Sequence, residues 1–308
     1  MSIHRRDFLK SAVGSGLLLA AGATTSQAAV QEPDLPPQAL GILYDSNLCI
    51  GCQACMKACK KANDMPPEHA GVNQTWDNPL DLSAKTLNII KMYQHGNQVA
   101  FIKRQCLHCL EPSCAAACPV SALRKDPQTG VVTYNKDACI GCRYCQVACP
   151  YNVPKFEWDD PFPQIQKCQL CDHLYEQGRY AACCEACPTG ASLFGPVDKL
   201  MEEAKRRLLM QPGHFYEFPL NHIEKGSSTR HRAKTYIDHI YGAEELGGTQ
   251  VMFLAGTDFQ KLGLPEVKKT SYVSELEGIS KGLYKYLFYP AVALGGLLYV
   301  VNKRDDHA

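Results

Sequence analysis

Seventeen cysteines carry the chemistry open to this sequence, and all of them lie between Cys49 and Cys187. They fall into four groups. The first is Cys49-x2-Cys52-x2-Cys55-x3-Cys59 and the second Cys106-x2-Cys109-x4-Cys114-x3-Cys118. The third is Cys139-x2-Cys142-x2-Cys145-x3-Cys149 and the fourth Cys168-x2-Cys171-x11-Cys183-x3-Cys187. Four groups of four leave one cysteine over. An odd count, with cysteines two residues apart in every group, is poor geometry for disulfides. Zinc sites use separated C-x2-C pairs rather than four cysteines in one short run. Iron–sulfur clusters fit the pattern.

The first and third groups match the bacterial ferredoxin run, in which the fourth cysteine serves the other cluster of a pair. Three thiolates must reach three iron corners of one [4Fe–4S] cube, and a short loop wrapped around the cube delivers them at x2 intervals. The fourth cysteine points away toward a neighbour. Prolines after Cys118, Cys149 and Cys187 turn the chain there. The second and third groups then make an inner pair, with the first and fourth groups around it. Four cubes are expected: Cys49/Cys52/Cys55/Cys187, Cys168/Cys171/Cys183/Cys59, Cys106/Cys109/Cys114/Cys149 and Cys139/Cys142/Cys145/Cys118. Cys183 keeps the x3 spacing and is taken as the ligand, whereas Cys184 would give x2 and is read as a packed thiol.

The elements that must hold these loops are short, because glycine and proline are plentiful (23 and 19). The expected fold class is α+β: nested tandem ferredoxin-like modules over residues 40–197, the inner one at about 98–155. Residues 122–134 read as a hairpin, opened by Asp126-Pro127 and closed by Gly130. Residues 60–97 read as an insertion, with Trp76 and Tyr93, packed on the outer pair. Residues 197–209 show amphipathic helical periodicity. Residues 198–282 read as a linker and peripheral segment, with one strand over 249–254.

Both ends carry membrane signals. Residues 1–28 read as a twin-arginine export peptide: Arg5-Arg6 precede Phe8-Leu9-Lys10, then a weakly apolar stretch and Ser26-Gln27-Ala28. That route carries folded proteins, as a chain loaded with clusters in the cytoplasm requires. At the other end, Tyr286–Val301 has no charge, and residues 283–301 approach the ~20 needed to span a bilayer. The expected topology puts the cluster domain on the periplasmic side of the inner membrane and residues 302–308 inside.

A formal net charge of +1, with 32 Lys+Arg against 31 Asp+Glu, argues against a nucleic-acid coat protein. A 45% hydrophobic content excludes a disordered tail. His108 and His173 are rival ligands, but no cysteine is missing for them to replace. They are read as surface residues or as neighbours of a ligand. Lys103, Arg104, Arg143 and Lys167 flank ligands; positive charge there favours the reduced form of an anionic cube, with a solvated face as the equal alternative. No phosphate loop, catalytic triad or carboxylate pair marks a substrate site. The expected chemistry is one-electron transfer.

The cysteine groups, including the x11 gap of the fourth, resemble the four-cluster ferredoxin-like beta subunits of respiratory oxidoreductases. Leu43-Tyr44-Asp45-Ser46, Gly51-Cys52-Gln53-Ala54-Cys55, Gly141-Cys142-Arg143-Tyr144-Cys145, Ala148-Cys149-Pro150-Tyr151-Asn152-Val153-Pro154-Lys155 and Gly247-Gly248-Thr249-Gln250-Val251 carry the likeness. A signal and an anchor on the same chain point to the hydrogenase branch rather than the formate dehydrogenase branch. The resemblance implies a subunit that is not catalytic alone. It would take electrons from a nickel–iron large subunit through a hydrogenase small subunit and pass them toward an integral membrane quinone-reducing subunit. The alternative is the beta subunit of a formate dehydrogenase-like molybdenum or tungsten enzyme. A third reading is a structural organiser, in which clusters mainly staple a small loop-rich fold.

Overall fold

The computed structural model describes residues 34–67, 79–96, 98–161, 163–276 and 294–296. The export peptide, Trp76, the cytoplasmic tail and all but Leu294–Gly296 of the expected membrane span lie outside them. Among the described residues no helix is long and apolar enough to cross a membrane.

In chain order the elements are β1 (Leu40–Asp45), α1 (Ala54–Ala62), β2 (Ile89–His95), β3 (Gln98–Arg104), α2 (Ser113–Ala116), β4 (Leu123–Lys125), β5 (Val132–Tyr134), α3 (Tyr144–Ala148), β6 (Lys155–Phe156), β7 (Ile165–Gln166), α4 (Ala182–Glu185), β8 (Ser192–Pro196), α5 (Val197–Leu208), β9 (Phe215–Pro219), β10 (Ser228–Arg232) and β11 (Val251–Leu254). Each cysteine group occupies the loop and short helix between two strands: β1 and β2, β3 and β4, β5 and β6, β7 and β8. The hairpin of β4 and β5 is antiparallel, with Leu123 opposite Tyr134. Its turn is held by Asp126, whose carboxylate accepts the N–H groups of Gln128 (3.0 Å) and Thr129 (2.7 Å).

The central sheet has β1 in the middle. β8 pairs with it antiparallel, Leu43 opposite Leu193, and β11 parallel, Leu43 opposite Met252. β1 leads into the first cysteine loop and β8 leaves the fourth, so this pairing brings the two ends of the cysteine region together. All four residues of β11 are fully buried. The strand within the segment read as a peripheral linker is therefore core, and Glu32–Glu277 is one compact unit. Sequence periodicity could not show this, because a four-residue apolar run does not reveal its distant partner.

Residues 107–110 are laced to 248–251 by backbone bonds, Leu110 N–H to Gly248 (3.0 Å), Gln250 N–H to His108 (3.1 Å) and Val251 N–H to Leu107 (3.1 Å). The Gln250 amide then donates to the carbonyls of Leu40 and Thr129, both at 2.7 Å. It ties the inner module to β1. Gly130 makes room for it, at φ 71° with a hypothetical Cβ 2.2 Å from Gln250 Oε1. Gly130→Ala is expected to cost about 2 kcal/mol, from the left-handed backbone plus the clash. Gly96→Ala, also at positive φ but with nothing within 4 Å, should cost about half that. Thermal loss of visible absorbance in the two variants checks the difference.

On α5 the buried positions are Val197, Leu200, Glu203, Ala204 and Arg207, one helical face. Two of them are charged. The fully buried Arg207 donates to Glu203 (2.8 Å) and to Asp45 (2.9 Å), which also accepts the Tyr236 hydroxyl (2.7 Å). Asp45 ends β1, and its carbonyl accepts the N–H groups of Leu48 and Cys49. The helix is thus fastened where the first cysteine loop begins.

Candidate metal centre

In every group the residue two places after the first cysteine is left-handed: Gly51 (φ 71°), His108 (49°), Gly141 (69°) and Leu170 (55°). Such a turn points successive N–H groups inward and makes an anion-binding nest. Gly141 N–H donates to Cys139 Sγ and Leu170 N–H to Cys168 Sγ, both at 3.4 Å. Ala122 N–H reaches Cys118 Sγ (3.2 Å), Ser192 N–H reaches Cys187 Sγ (3.4 Å), and the Asn63 amide approaches Cys59 Sγ (3.7 Å). Donors aimed at sulfur suit thiolate ligands.

Tertiary packing sorts the cysteines across groups. Cys49, Cys52, Cys55 and Cys187 line one cavity. Cys59, Cys168, Cys171 and Cys183 line another. Cys118, Cys139, Cys142 and Cys145 line a third. Around Cys109 stand Cys106, Cys149 and Cys114. All seventeen thiols are free. Among the described residues no three His, Cys, Asp or Glu side chains close on a point fit for a single metal ion. Donors spread around a cavity suit a polynuclear cluster. Burial pushes Cys55 and Cys114 up to about 12, and Cys171 and Cys145 up to about 11. These sulfurs become anionic when a metal displaces the proton.

The sets also lie side by side. Cys55 lies within electrostatic reach of Cys183, Cys168 of Cys106, and Cys114 of Cys145. The row therefore runs from the Cys49 site to the Cys59 site, then the Cys106 site, then the Cys118 site.

Two lysines are buried within this row. Lys103 is 0% exposed and Lys167 3%. Lys103 Nζ donates to Ser192 Oγ (3.3 Å), and Lys167 Nζ to the carbonyls of Val132 and Cys168. Among the described residues neither forms an ion pair with a carboxylate. A buried ammonium without an anion is costly. Burial alone would lower the Lys103 pKa, but the sulfurs of Cys183, Cys184 and Cys55 hold it well above the usual lysine range. The cavities beside the two lysines are thus suited to anionic groups, and the solvated-face reading does not apply to them.

The other flanking residues divide. Arg143 is exposed, its guanidinium stacked on Phe156 (5.3 Å) and Trp158 (4.9 Å); Arg104 is half-buried. His108 is fully buried, its Nδ1 accepting the Val132 N–H (3.0 Å), and burial with nearby Lys167 keeps the ring neutral. His173 is exposed and bonds the Ala62 carbonyl (2.9 Å). Tyr44, Asn63 and Ser192 were not legible as site residues. Single polar residues carry no spacing signal, yet Tyr44 lines the Cys49 cavity and the other two bond ligand sulfurs.

Cys183 lines the Cys59 cavity, whereas Cys184 is packed in the core. The Cys184 thiol and Lys103 together hold the Cys183 thiol below the ordinary cysteine range, while burial pushes Cys184 up. Cys183→Ala is expected to remove about four iron atoms per chain and Cys184→Ala none, since each [4Fe–4S] cluster needs its four cysteines. Anaerobic iron analysis distinguishes them; iron lost from Cys184→Ala and kept in Cys183→Ala would reverse the assignment.

The 4Fe-4S dicluster domain family matches residues 97–197. The chain is 42% identical to the hydrogenase-2 operon protein HybA of Escherichia coli O157:H7 over 320 residues, 99% of this chain and 97% of that one. It is 33% identical to the iron–sulfur subunit of the nitrate-inducible formate dehydrogenase of Escherichia coli strain K12 over 281 residues, 86% of this chain and 88% of that one. Protein NrfC of the same strain is 33% identical over 226 residues, 71% of this chain and 92% of that one. The matched iron–sulfur domain takes in the second, third and fourth cysteine groups, and likeness to full-length relatives runs nearly end to end: this chain belongs to the HybA family of iron–sulfur proteins.

Proposed function

We propose that this chain is the electron-transfer subunit of a membrane-bound uptake [NiFe] hydrogenase and holds four [4Fe–4S] clusters on the sixteen cysteines of the row. When bound, the clusters supply one-electron transfer. The chain's own residues do the rest. The nests present N–H groups to sulfur, β1, β8 and β11 hold the outer loops in register, and the apolar core keeps water from the inner sites. The hydrogenase small subunit would be the donor, with the nickel–iron large subunit behind it. An integral membrane quinone-reducing subunit would be the acceptor. In this reading the chain is exported by the twin-arginine route and anchored by residues 283–301.

The observation that carries this reading is the unbroken row of four cysteine sets in a near full-length relative of a hydrogenase-2 operon protein. A second reading, a beta subunit of a formate dehydrogenase-like molybdenum or tungsten enzyme, is favoured by the 33% identity to such a subunit. Metal analysis of the anaerobically purified, detergent-solubilised complex separates them. Nickel together with abundant iron supports the hydrogenase placement. Molybdenum or tungsten without nickel moves the row to the second enzyme class. Ligand variants that stay assembled but stop electron flow would dismiss a purely structural role.

A further inference from the structure

We propose that Lys103 is the shared counter-charge of the Cys49 and Cys59 sites, and Lys167 that of the Cys106 site, so that two buried lysines set the potentials of three clusters while the Cys118 site depends on solvent. This rests on the four-cluster reading above.

The argument begins with what is buried. Among the described residues the buried Lys and Arg side chains are Lys103, Lys167 and Arg207. Arg207 has Asp45 and Glu203 as partners. The two lysines have hydroxyl and carbonyl oxygens, which accept hydrogen bonds but carry no full charge to balance the ammonium. Their balancing charge must come from the sites they adjoin. Lys103 is close to Cys55 of one set and to Cys183 of the next. Lys167 acts on Cys114 and Cys149 of the third.

The fourth set differs. Among the described residues none of the buried lysines or arginines is assigned to it by contact or charge, and the nearby Arg143 is exposed. Water can screen added charge at that end of the row. The Cys49 site also meets solvent, at the exposed Cys52, but water is excluded from its buried side at Cys55 and Cys183 and from the surroundings of Lys167, where a fixed ammonium must take its place. Adding an electron makes a site more anionic, so a buried ammonium favours the reduced form and raises the potential.

The test is a redox titration of the anaerobic complex followed by electron paramagnetic resonance, with iron counted in the same samples. Lys103→Met should lower two of the four midpoints, and Lys167→Met a different one. Each should change the reduced-to-oxidised ratio at fixed potential at least tenfold, which is 59 mV for a one-electron couple. The remaining midpoint should move in neither variant. Lys→Arg at either position keeps the charge and should keep the wild-type midpoints. Full iron with unmoved midpoints in both methionine variants overturns the inference and leaves the four-cluster reading intact. A wild-type protein well short of about 16 iron atoms overturns that reading itself. Should a methionine variant lose iron, restoration by arginine supports the counter-charge, and failure of arginine to restore it counts against it.

Discussion

Alanine at Cys187 is expected to empty the same site as alanine at Cys49, although the two stand at opposite ends of the cysteine region. Each single substitution should lower the iron content from about 16 to about 12 atoms per chain. The decisive comparison is between pairs. Cys49→Ala with Cys187→Ala should still leave about 12, because both act on one site, whereas Cys168→Ala with Cys187→Ala should leave about 8. If each group instead kept its own four ligands, the order would reverse. The structure supports the crossed pairing through the cavity that Cys187 shares with the first group and the one that Cys59 shares with the fourth. In this pairing ligation would join segments far apart in the chain, so losing a site should also loosen the β1–β8 junction, since metal binding couples to folding. Limited proteolysis of the same variants should show faster cleavage around residues 49–60.

Arg207→Ala should be the most damaging change away from the cysteines. It leaves Asp45 buried without its cation and Glu203 with Arg206 alone, and breaking one partner from a buried ion pair costs about 3–5 kcal/mol. For a unit of this size that is a fall of roughly 10 °C in Tm. The effect should reach the metal sites, because Asp45 orders the Cys49 loop. The pH dependence has a definite sign. Burial would raise the Glu203 carboxyl, but hydrogen bonds from Arg206 and Arg207 outweigh it and hold the group below the ordinary 4.5. A carboxyl lowered in the folded state adds stability above its unfolded pKa and loses it as the pH falls through the folded one. The gap in Tm between wild type and Arg207→Ala should be full at pH 7 and narrow below about pH 4.5. A gap that widened in acid would exclude Glu203 as the source.

How much of this could be read beforehand depends on distance along the chain. The β4–β5 hairpin and α5 lie where turn chemistry and a 3.6-residue period place them, over 122–134 and 197–209. Both signals are local, made by residues within a few positions of each other. β11 was legible as a strand, but not its place beside β1, since a parallel partner arrives after a long crossover. The charged residues of α5 were equally opaque. A period marks Glu203 and Arg207 as inward-facing but does not name Asp45 as their partner.

The sequence by itself determined the chemistry. Thiols at x2 and x3 intervals specify an iron–sulfur protein, because a loop that short can wrap only something the size of a cube, whatever surrounds it. Tertiary structure decided what those loops become together. It set which cysteine lines which cavity, the order of the four sites in the row, and the burial of Lys103 and Lys167 where a solvated face was equally open. Those outcomes depend on contacts between residues up to the length of the cysteine region apart. Spacing is a property of neighbours, whereas burial and adjacency belong to the packed chain.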